Sequence, residues 1–539
     1  MKFKEYLLLC VVALMSGISE ISASGVSKDS IISDFNTLVK IVEDTHPDPY
    51  TNYGGRVFFY KTANDCRLRL MSESSLTVND LYEVSSEFLS YLQDGHTNIN
   101  APAVSVPDAE GDSILLVKFR YGGESLFVDA IGQKDSRLLG SRLTGINGVT
   151  TDKVTERVAK YYPCENKAGK YGFMSDYFRP LGIYRKLAGR EDGKIILELI
   201  TPEGERVTYT PEVIHYRDFP GTAIARVSDN KEFPSGQMEW KVMEEMMFFR
   251  LASVMSRENF EYQYANGWDF YQDLSYCYRL TGLDMPADTL AAVKGVPSFS
   301  DTFMDMLTEM KFRDIKNLVI DLRGNGGGWT PVVLPSLYMM YGDAYLDTDM
   351  SGSFFRRVSQ LYLDKVNTTI DEFNEVNGTA LNIGDYIFPE SGRETRTKEQ
   401  KREDFLRTAF CSEEIKEKLR RLDGKPLYRP DKVFVVTDHG TFSAAFHYAF
   451  YLSRLGAYVA GETSSQSPNC YMETTPFILP NTGLAGSVSN SMQIFLPSED
   501  KRAKEFLPDT RLRYEDYRRY GFDRNSILLE LLHMTKAAD

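Results

Sequence analysis

The spacing of apolar residues changes twice along the chain and divides it into three parts. Between residues 27 and 92 the apolar side chains recur every three or four positions, as they do from Ile31 to Val42. This period predicts amphipathic helices, and Ser27 or Asp29 stands where the first helix would be capped. The first part, residues 25–100, is therefore predicted to be a helical region.

The second part, residues 101–215, alternates with the shorter period that is typical of β-strands. Gly122 and Gly123 lie between two apolar runs and indicate a hairpin turn, and a Pro-Glu-Gly turn at 202–204 indicates another. The predicted elements are strands over 114–120, 125–131, 195–200 and 206–210 and a helix over 151–161. The pattern predicts a small mixed β/α module.

The third part, residues 216–539, alternates amphipathic helices with short, continuous apolar runs. The predicted helices cover 300–310 and 443–455, and the predicted buried strands cover 318–320, 432–437 and 457–460. Helices that alternate with fully apolar strands indicate an α/β core with a mostly parallel sheet. Two long polar stretches, at about 225–295 and 343–428, are interpreted as insertions on this core.

Composition and charge exclude several classes of protein. Among 539 residues, 42% are hydrophobic and 26% are charged, which is ordinary for a globular protein and excludes a disordered or collagen-like chain. The mean hydropathy of -0.33 excludes a polytopic membrane protein. A net charge of -14 argues against nucleic acid as a partner, because binding to a polyanion depends on Lys and Arg.

The first 24 residues have the pattern of a secretory signal peptide. Lys2 and Lys4 precede an apolar run, and Ser22-Ala23-Ser24 supplies a cleavage site of small residues. The run is too short to cross a bilayer, which takes about 20 apolar residues. We therefore expect export to the periplasm or the extracellular space, with no transmembrane span after the signal is removed.

The cysteines do not form a metal or redox motif. Outside the signal peptide there are five, Cys66, Cys164, Cys277, Cys411 and Cys470, and no two of them form a Cys-x-x-Cys pair. This spacing excludes a zinc ribbon and a thioredoxin motif. Because five is an odd number, at least one thiol is expected to be free, while one or two disulfides stay possible.

A glycine-rich segment, Asp321–Trp329 (DLRGNGGGW), directly follows a predicted buried strand. Glycines let the backbone turn sharply and offer N–H groups to an anion. A dinucleotide fingerprint would need glycine where Trp329 stands, and the Gly-Lys-Ser/Thr of a P-loop is absent. The segment therefore favours a loop that stabilises an oxyanion, with a purely structural turn as the alternative.

Ser443 lies in a second segment of this kind, Thr437–Ala445 (TDHGTFSAA), where a buried strand ends and a helix begins. Ligands usually meet an α/β sheet at this edge, and a helix N-terminus stabilises negative charge. The segment is not Gly-x-Ser-x-Gly, so it is not the nucleophile elbow of the α/β-hydrolases. A helix cap is the alternative role for the serine.

A serine nucleophile needs an adjacent base, and the chain has only six histidines. His96 follows Asp94-Gly95 at the end of the helical region. His46 is assigned to a turn that ends a helix, and His439 lies across a turn from Ser443. His447, one helical turn beyond Ser443, is another possible base, with packing on the helix face as its alternative.

Taken together, the motifs resemble the tail-specific (C-terminal processing) peptidase family. The segments that carry the resemblance are Ser300–Leu334, Lys432–Leu455, Gly461-Glu462-Thr463 and Phe506–Asp509. His46-Pro47 and Asp94–Thr97 are similar to the branch related to the tricorn protease core and the interphotoreceptor retinoid-binding protein. The resemblance implies an N-terminal helical domain, a PDZ-like module over 101–215 and a crotonase-like α/β protease core over 216–539.

The resemblance also implies the catalytic residues. One branch of the family uses a Ser-Lys dyad, but Gly461–Ser467 lacks the lysine of that motif, and the next lysine after Ser443 is Lys501. The other branch uses Ser, His and Glu. Its implied residues here are Ser443 as nucleophile, His96 as base, Gly326 or Gly327 with Ala444 as oxyanion hole, and Glu505, or else Glu499, as the orienting carboxylate.

The function expected from the resemblance is that of an exported serine endopeptidase with an acyl-enzyme mechanism. Peptides or unfolded proteins are the expected substrates, bound in part by strand addition to the PDZ-like module. No metal and no organic cofactor is implied. The alternative is an inactive peptide- or ligand-binding protein on the same fold, since the usual glutamate motif before Pro508 is not intact. No pair of carboxylates points to a glycan-processing enzyme.

Overall fold

A computed structural model describes residues 26–102, 113–190, 193–348, 350, 352–388 and 395–537. The expected signal peptide, residues 1–24, lies outside this range. Within it, no helix is both long enough and apolar enough to cross a membrane.

The N-terminal part is helical, as the apolar spacing predicts. Its helices are Lys28–Thr45, Arg56–Ser72 and Val78–Ser90. Phe35, Phe59 and Phe88 are fully buried and meet edge to face between them. Ser27 caps the first helix by accepting a hydrogen bond from the backbone N–H of Ser30.

The small module, residues 113–226, is built on a seven-stranded sheet that carries three helices. Its strands are Ser113–Leu115, Val117–Gly122, Ser125–Gly132, Arg142–Ile146, Val149–Thr150, Leu197–Ile200, Arg206–Tyr209, Val213–His215 and Ile224–Arg226. The first and the eighth of these pair separately, as a two-stranded sheet. Its helices are Thr151–Tyr161, Lys167–Phe173 and Leu181–Ala188. Both predicted hairpins and the predicted helix over 151–161 are present.

The central sheet of the third part has six strands. In spatial order they are Met238–Met243, Met246–Leu251, Asn317–Asp321, Lys432–Thr437, Tyr458–Gly461 and Thr510–Arg511. The first strand is antiparallel to the second, and the other neighbours are parallel. Asp321 pairs with Val436 in the register, so the two segments that follow these strands leave the sheet side by side.

Two strands of this sheet lie inside a stretch that the sequence interpretation assigned to an insertion. Residues 238–251 form a hairpin, and four consecutive side chains of its second strand, Met246 to Phe249, are buried. A run that is apolar on both faces is typical of an interior strand, because both faces of the central sheet are covered. Residues 257–295 of the same stretch are helical.

Helices cover the sheet and extend from it. They are Arg257–Ala265, Tyr271–Thr281, Thr289–Gly295, Phe299–Phe312, Leu334–Tyr341, Asp343–Asp347, Gln360–Lys365, Ile370–Asn377, Lys398–Thr408, Glu413–Arg421, Ala444–Arg454, Tyr514–Arg519 and Arg524–Ala537. The helices Phe299–Phe312 and Ala444–Arg454 pack on the sheet in one apolar cluster, as their spacing predicts.

A second, antiparallel sheet joins distant parts of the chain. Its strands are Asn98–Ile99, Ser353–Arg357, Tyr386–Ile387, Cys470–Ile478 and Ala485–Ile494. The turn of the long hairpin Cys470–Ile494 is fastened to the first helix, because the buried carboxylate of Asp34 accepts hydrogen bonds from Asn481 and Thr482. This sheet, which the sequence analysis did not predict, holds the N-terminal helices against the third part.

Candidate active site

Ser443 lies at the N-terminus of the helix Ala444–Arg454, at the carboxyl edge of the central sheet. Its backbone has φ 53° and ψ -123°, a conformation that residues other than glycine rarely adopt. Its half-buried side chain makes no capping hydrogen bond to the helix. The structure therefore does not support the alternative of a helix cap, and the hydroxyl is left for other chemistry.

The turn that carries Ser443 is held by buried side chains of the segment 464–466. The backbone N–H of Ser443 donates to Oε1 of Gln466, which is fully buried. The hydroxyl of Ser464 donates to the carbonyl of Thr441 at 2.5 Å. These bonds stabilise an unusual backbone conformation that local sequence alone disfavours.

The glycine loop, defined here as residues 324–328, is held by an ion pair just before it and by hydrogen bonds of Asn325 within it. Before it, Arg323 forms a buried ion pair with Asp321 at 2.8 Å. Within it, the side chain of Asn325 donates to the carbonyl of Leu251, and the backbone carbonyl of Asn325 accepts from the N–H of Phe442. Because Phe442 precedes Ser443, this bond fixes the glycine loop beside the serine.

The loop approaches the serine so closely that position 327 requires glycine. A Cβ on Gly327, whose φ is +106°, would lie 2.6 Å from Cβ of Ser443. The N–H of Gly327 is already used, since it donates to Oδ1 of Asn325 at 2.9 Å. The N–H groups of Gly326 and Ala444 have no partner among the described residues, so these two can serve an oxyanion.

His96 is presented by a turn that Asp94 organises. The buried carboxylate of Asp94 accepts hydrogen bonds from the N–H of His96 and the hydroxyl of Thr97. His46, at the end of the first helix as expected, lies with Nε2 3.4 Å from Asp94. Burial opposes ionisation of Asp94, but the neighbouring imidazole of His46 lowers the pKa of Asp94 to about 2.

The imidazole of His96 packs against Phe442, the residue before Ser443, with the ring centroids 4.5 Å apart. It is 7% exposed, and neither ring nitrogen has a hydrogen-bond partner within the described chain. Burial lowers the pKa of His96 from its ordinary value of 6.5, and the charge of Asp94 offsets only part of this effect. The ring is therefore neutral at pH 7 and free to accept a proton.

The structure brings His96 and Ser443 into one site but forms no hydrogen bond between them. Such bonds are often long in enzymes without substrate and tighten when the substrate binds. The imidazole reaches this site through its ring contact with Phe442, which is adjacent to Ser443 in the chain.

Glu165, which the sequence analysis did not consider, supplies the carboxylate beside His96. Its Oε1 lies 3.8 Å from Nδ1 of His96. The carboxylate also accepts hydrogen bonds from the N–H groups of Gly95, at 3.3 Å, and Ser467, at 2.7 Å. Burial raises the pKa of Glu165 well above its ordinary value. Nothing in the local sequence distinguishes this glutamate from others, because its neighbours come from distant segments.

The two glutamates suggested by the family resemblance lie elsewhere. Glu505 is half-buried and its charge acts on Tyr121, and Glu499 is exposed. Neither forms an ion pair or hydrogen bond with His96 in the part of the chain that the structure describes. The assignment of Glu505 or Glu499 therefore stays a prediction.

The other histidines near Ser443 are engaged in contacts of their own. Nε2 of His439 lies 2.6 Å from Oδ2 of Asp176, and that pairing raises the pKa of His439 to about 9 against the effect of burial. His447 uses both ring nitrogens, with the hydroxyl of Thr330 and the amide of Gln493. Burial lowers the pKa of His447 to about 4. His447 thus has the packing role given as its alternative.

One group of side chains has the geometry to hold a metal ion: the ligand atoms of Asp94, His96 and Glu165 lie within 4.8 Å of one another. Both carboxylates, however, already accept hydrogen bonds from backbone N–H groups. These bonds use part of the acceptor capacity of both carboxylates, and they account for the two groups as parts of a hydrogen-bonded site without an ion.

All five cysteines of the described chain are unpaired, and four of them are buried. The expectation of at least one free thiol is therefore confirmed. Burial raises the pKa of the Cys66 thiol to about 11, and the other four are shifted in the same direction, so none of them has the character of a reactive thiolate.

Comparison with known proteins finds a family model that matches part of the chain. Residues 291–509 match the family model of peptidase family S41. Mature CPAF complexed with lactacystin is similar over 95% of this chain and 99% of that chain, with a TM-score of 0.56 and 13% identity. This likeness shows a shared fold over almost the whole length.

Two further solved structures match with lower TM-scores. The photosystem II D1 C-terminal processing protease has a TM-score of 0.38 at 13% identity and covers 92% of this chain and 98% of its own. A putative S41 protease from Bacteroides fragilis NCTC 9343 has a TM-score of 0.37 at 11% identity, covering 93% and 97%. No curated protein matches the sequence significantly.

Proposed function

We propose that this chain, whose residues 291–509 match the model of peptidase family S41, is a serine peptidase that cleaves peptide bonds through an acyl-enzyme on Ser443. One observation carries this proposal. Ser443 stands on a strained turn with its hydroxyl unbonded in the described chain, the nearby N–H groups of Gly326 and Ala444 are free, and a neutral, buried imidazole packs on the adjacent Phe442. These are the three parts that acyl transfer needs.

In the proposed mechanism His96 accepts the hydroxyl proton as Oγ of Ser443 attacks the substrate carbonyl. The carbonyl oxygen becomes an oxyanion and receives hydrogen bonds from the N–H groups of Gly326 and Ala444. His96 then gives its proton to the leaving amine, and the acyl group stays on Ser443. A water molecule, activated by the same imidazole, releases the acyl group and restores the serine.

Glu165 is proposed to orient His96. A movement of about 1 Å would convert the 3.8 Å separation into a hydrogen bond from Nδ1–H to the carboxylate. That bond would leave the Nε2 lone pair directed to the serine. It would also stabilise the imidazolium formed during the reaction, whose positive charge favours the ionised form of Glu165 that burial alone disfavours. Glu505, suggested by the resemblance to the family, is the competing candidate for the same role.

Export and the class of substrate belong to the proposal as well. The apolar leader at residues 1–24 supports secretion to the periplasm or outside the cell. The sheet of the small module, in the place of the family's PDZ-like domain, supports extended peptides or unfolded proteins as substrates, because an edge strand can pair with them.

A second candidate function is a binding protein without catalysis on the same fold. The observation in its favour is that His96 and Ser443 share no hydrogen bond while the nearest carboxylate stands 3.8 Å from the imidazole. An arrangement that never closes would bind peptides without cleaving them.

Labelling with a fluorophosphonate probe separates the two candidates. We expect the wild-type protein to react, and Ser443→Ala to lose the label together with at least about 10³-fold of peptidase activity. Ser453→Ala is the matched control, because Ser453 lies on the same helix and its hydroxyl bonds only the carbonyl of Phe450. Labelling that persists in Ser443→Ala would contradict the nucleophile, and an unreactive wild type would favour the binding protein.

A further inference from the structure

Four aromatic rings form a cluster next to the glycine loop. Trp329 follows the last glycine of the loop, and its ring centroid lies 5.9 Å from that of Tyr262, 5.8 Å from Trp268 and 6.2 Å from Phe410. Tyr262 also contacts Trp268 at 5.7 Å and Phe410 at 5.5 Å. We call these four residues the aromatic cluster.

The aromatic cluster is assembled from three separate segments. Tyr262 lies in the helix Arg257–Ala265, with Trp268 just beyond its end, and Phe410 lies between two helices of the stretch 343–428. Two of the three tryptophans of the chain are therefore collected at one place. Tyr262 is nevertheless 44% exposed and Trp268 37% exposed. Large aromatic side chains that are gathered and still reach the surface indicate a binding site.

The position of the aromatic cluster connects it to the proposed catalytic serine. Trp329 is three residues after Gly326, so their Cα atoms are at most about 11 Å apart. The next residue, Thr330, bonds His447 on the helix that Ser443 begins. If the N–H of Gly326 holds a substrate carbonyl, the substrate side chains within about three residues of that carbonyl would thus lie close to these rings.

We propose that the aromatic cluster is a substrate subsite for an apolar, preferably aromatic, side chain of the peptide. The inference rests on the proposed peptidase function and adds to it the class of residue that is selected. The rings hold one another by mutual contacts, so the site is formed before the substrate arrives and little ordering is needed on binding. A side chain placed on them would bury apolar surface of both partners.

Peptide binding in the Ser443→Ala background tests the proposal without depending on turnover. The probes are two peptides that differ only in one residue, Phe or Ala, placed within three residues of a mapped cleavage site or, without cleavage, scanned along the peptide. We expect the Phe peptide to bind about tenfold more tightly at one position, and Trp268→Ala or Tyr262→Ala to remove most of this preference. The Ala peptide should bind all variants equally.

Tyr271→Ala is the matched control, because Tyr271 is 59% exposed in the next helix and outside the aromatic cluster. It should keep the preference, and Trp268→Phe should restore part of it. Equal binding of the two peptides by the parent, or an unchanged preference in both alanine variants, would overturn the subsite. Selective binding by a chain whose wild type neither labels nor cleaves would instead keep the subsite and refute the peptidase.

Discussion

Two buried histidines lie near carboxylates of the small module, and their pKa values are shifted in opposite directions. His439 contacts Asp176 at 2.6 Å, and its pKa is raised to about 9. His96 stands 3.8 Å from Glu165, with both ring nitrogens unbonded and its pKa lowered. Both imidazoles are desolvated, so the difference arises from the distance to the carboxylate and from its geometry.

The contrast distinguishes His439, which has a structural role, from His96, which can act as a general base. A close ion pair keeps His439 protonated and ties the small module to the loop after the strand Lys432–Thr437. An imidazole in that state has no lone pair for a proton. His96 is neutral because no partner is close enough to offset burial, and neutrality is what a general base needs.

The largest expected effect compares the two histidines directly. His96→Gln should lower kcat/KM by about 10³-fold or more, because the other two histidines near Ser443, His439 and His447, are engaged by contacts of their own. His439→Gln should lower the melting temperature while kcat/KM changes by less than about threefold. Peptide cleavage and thermal unfolding of both variants measure the two effects. Similar losses of activity in both variants would remove the distinction.

An intermediate effect decides which carboxylate orients His96. Glu165→Gln should lower kcat by about 10- to 10³-fold with little change in KM, because the amide cannot stabilise an imidazolium as a carboxylate does. Glu505→Gln is the matched control and should change kcat by less than about twofold. Steady-state kinetics of the two variants test this, and the opposite order of effects would assign the role to Glu505.

The smallest effects are expected in how activity and stability depend on pH. Activity, which depends on His96, should fall toward acid, whereas the stability contributed by His439 should fall toward alkali. Burial puts the pKa of His96 below 6.5, so kcat/KM should be flat near neutrality and fall with acid only below that value. The pKa of His439 is higher in the folded protein, about 9, than its ordinary 6.5. Its stabilising contribution is therefore complete below about 6.5 and lost as the pH rises through 9.

Activity and thermal unfolding measured between pH 5 and 10 check both statements. His439→Gln should flatten the loss of stability in the alkaline range without moving the acid limb of activity. An acid limb above 6.5 in the wild type would contradict the environment described for His96.

The elements that depend on local pattern could be predicted from the sequence. The helix Thr151–Tyr161 and the strand Lys432–Thr437 appear with the predicted bounds, because an amphipathic period and an uninterrupted apolar run are properties of neighbouring residues. The same pattern placed the glycine loop and Ser443 at the ends of two strands. Their adjacency follows from the parallel register of those strands.

The elements that depend on distant partners could not be predicted in this way. The hairpin Cys470–Ile494 is stabilised by pairing with the strands Asn98–Ile99 and Ser353–Arg357, which lie far away in the chain. The strands at 238–251 were missed because their run of methionine and phenylalanine suits a buried helix equally well. Only the neighbours across a sheet distinguish the two.

By itself the sequence determined the chemical groups of the candidate site: a serine and a glycine-rich loop after buried strands, and a histidine after Asp-Gly. Tertiary structure alone decided which histidine is neutral, which N–H groups are free and that Glu165 lies beside His96. The reason is physical. Residue type and local period are encoded in adjacent positions, whereas burial, protonation and hydrogen bonding depend on atoms that folding brings from hundreds of residues away.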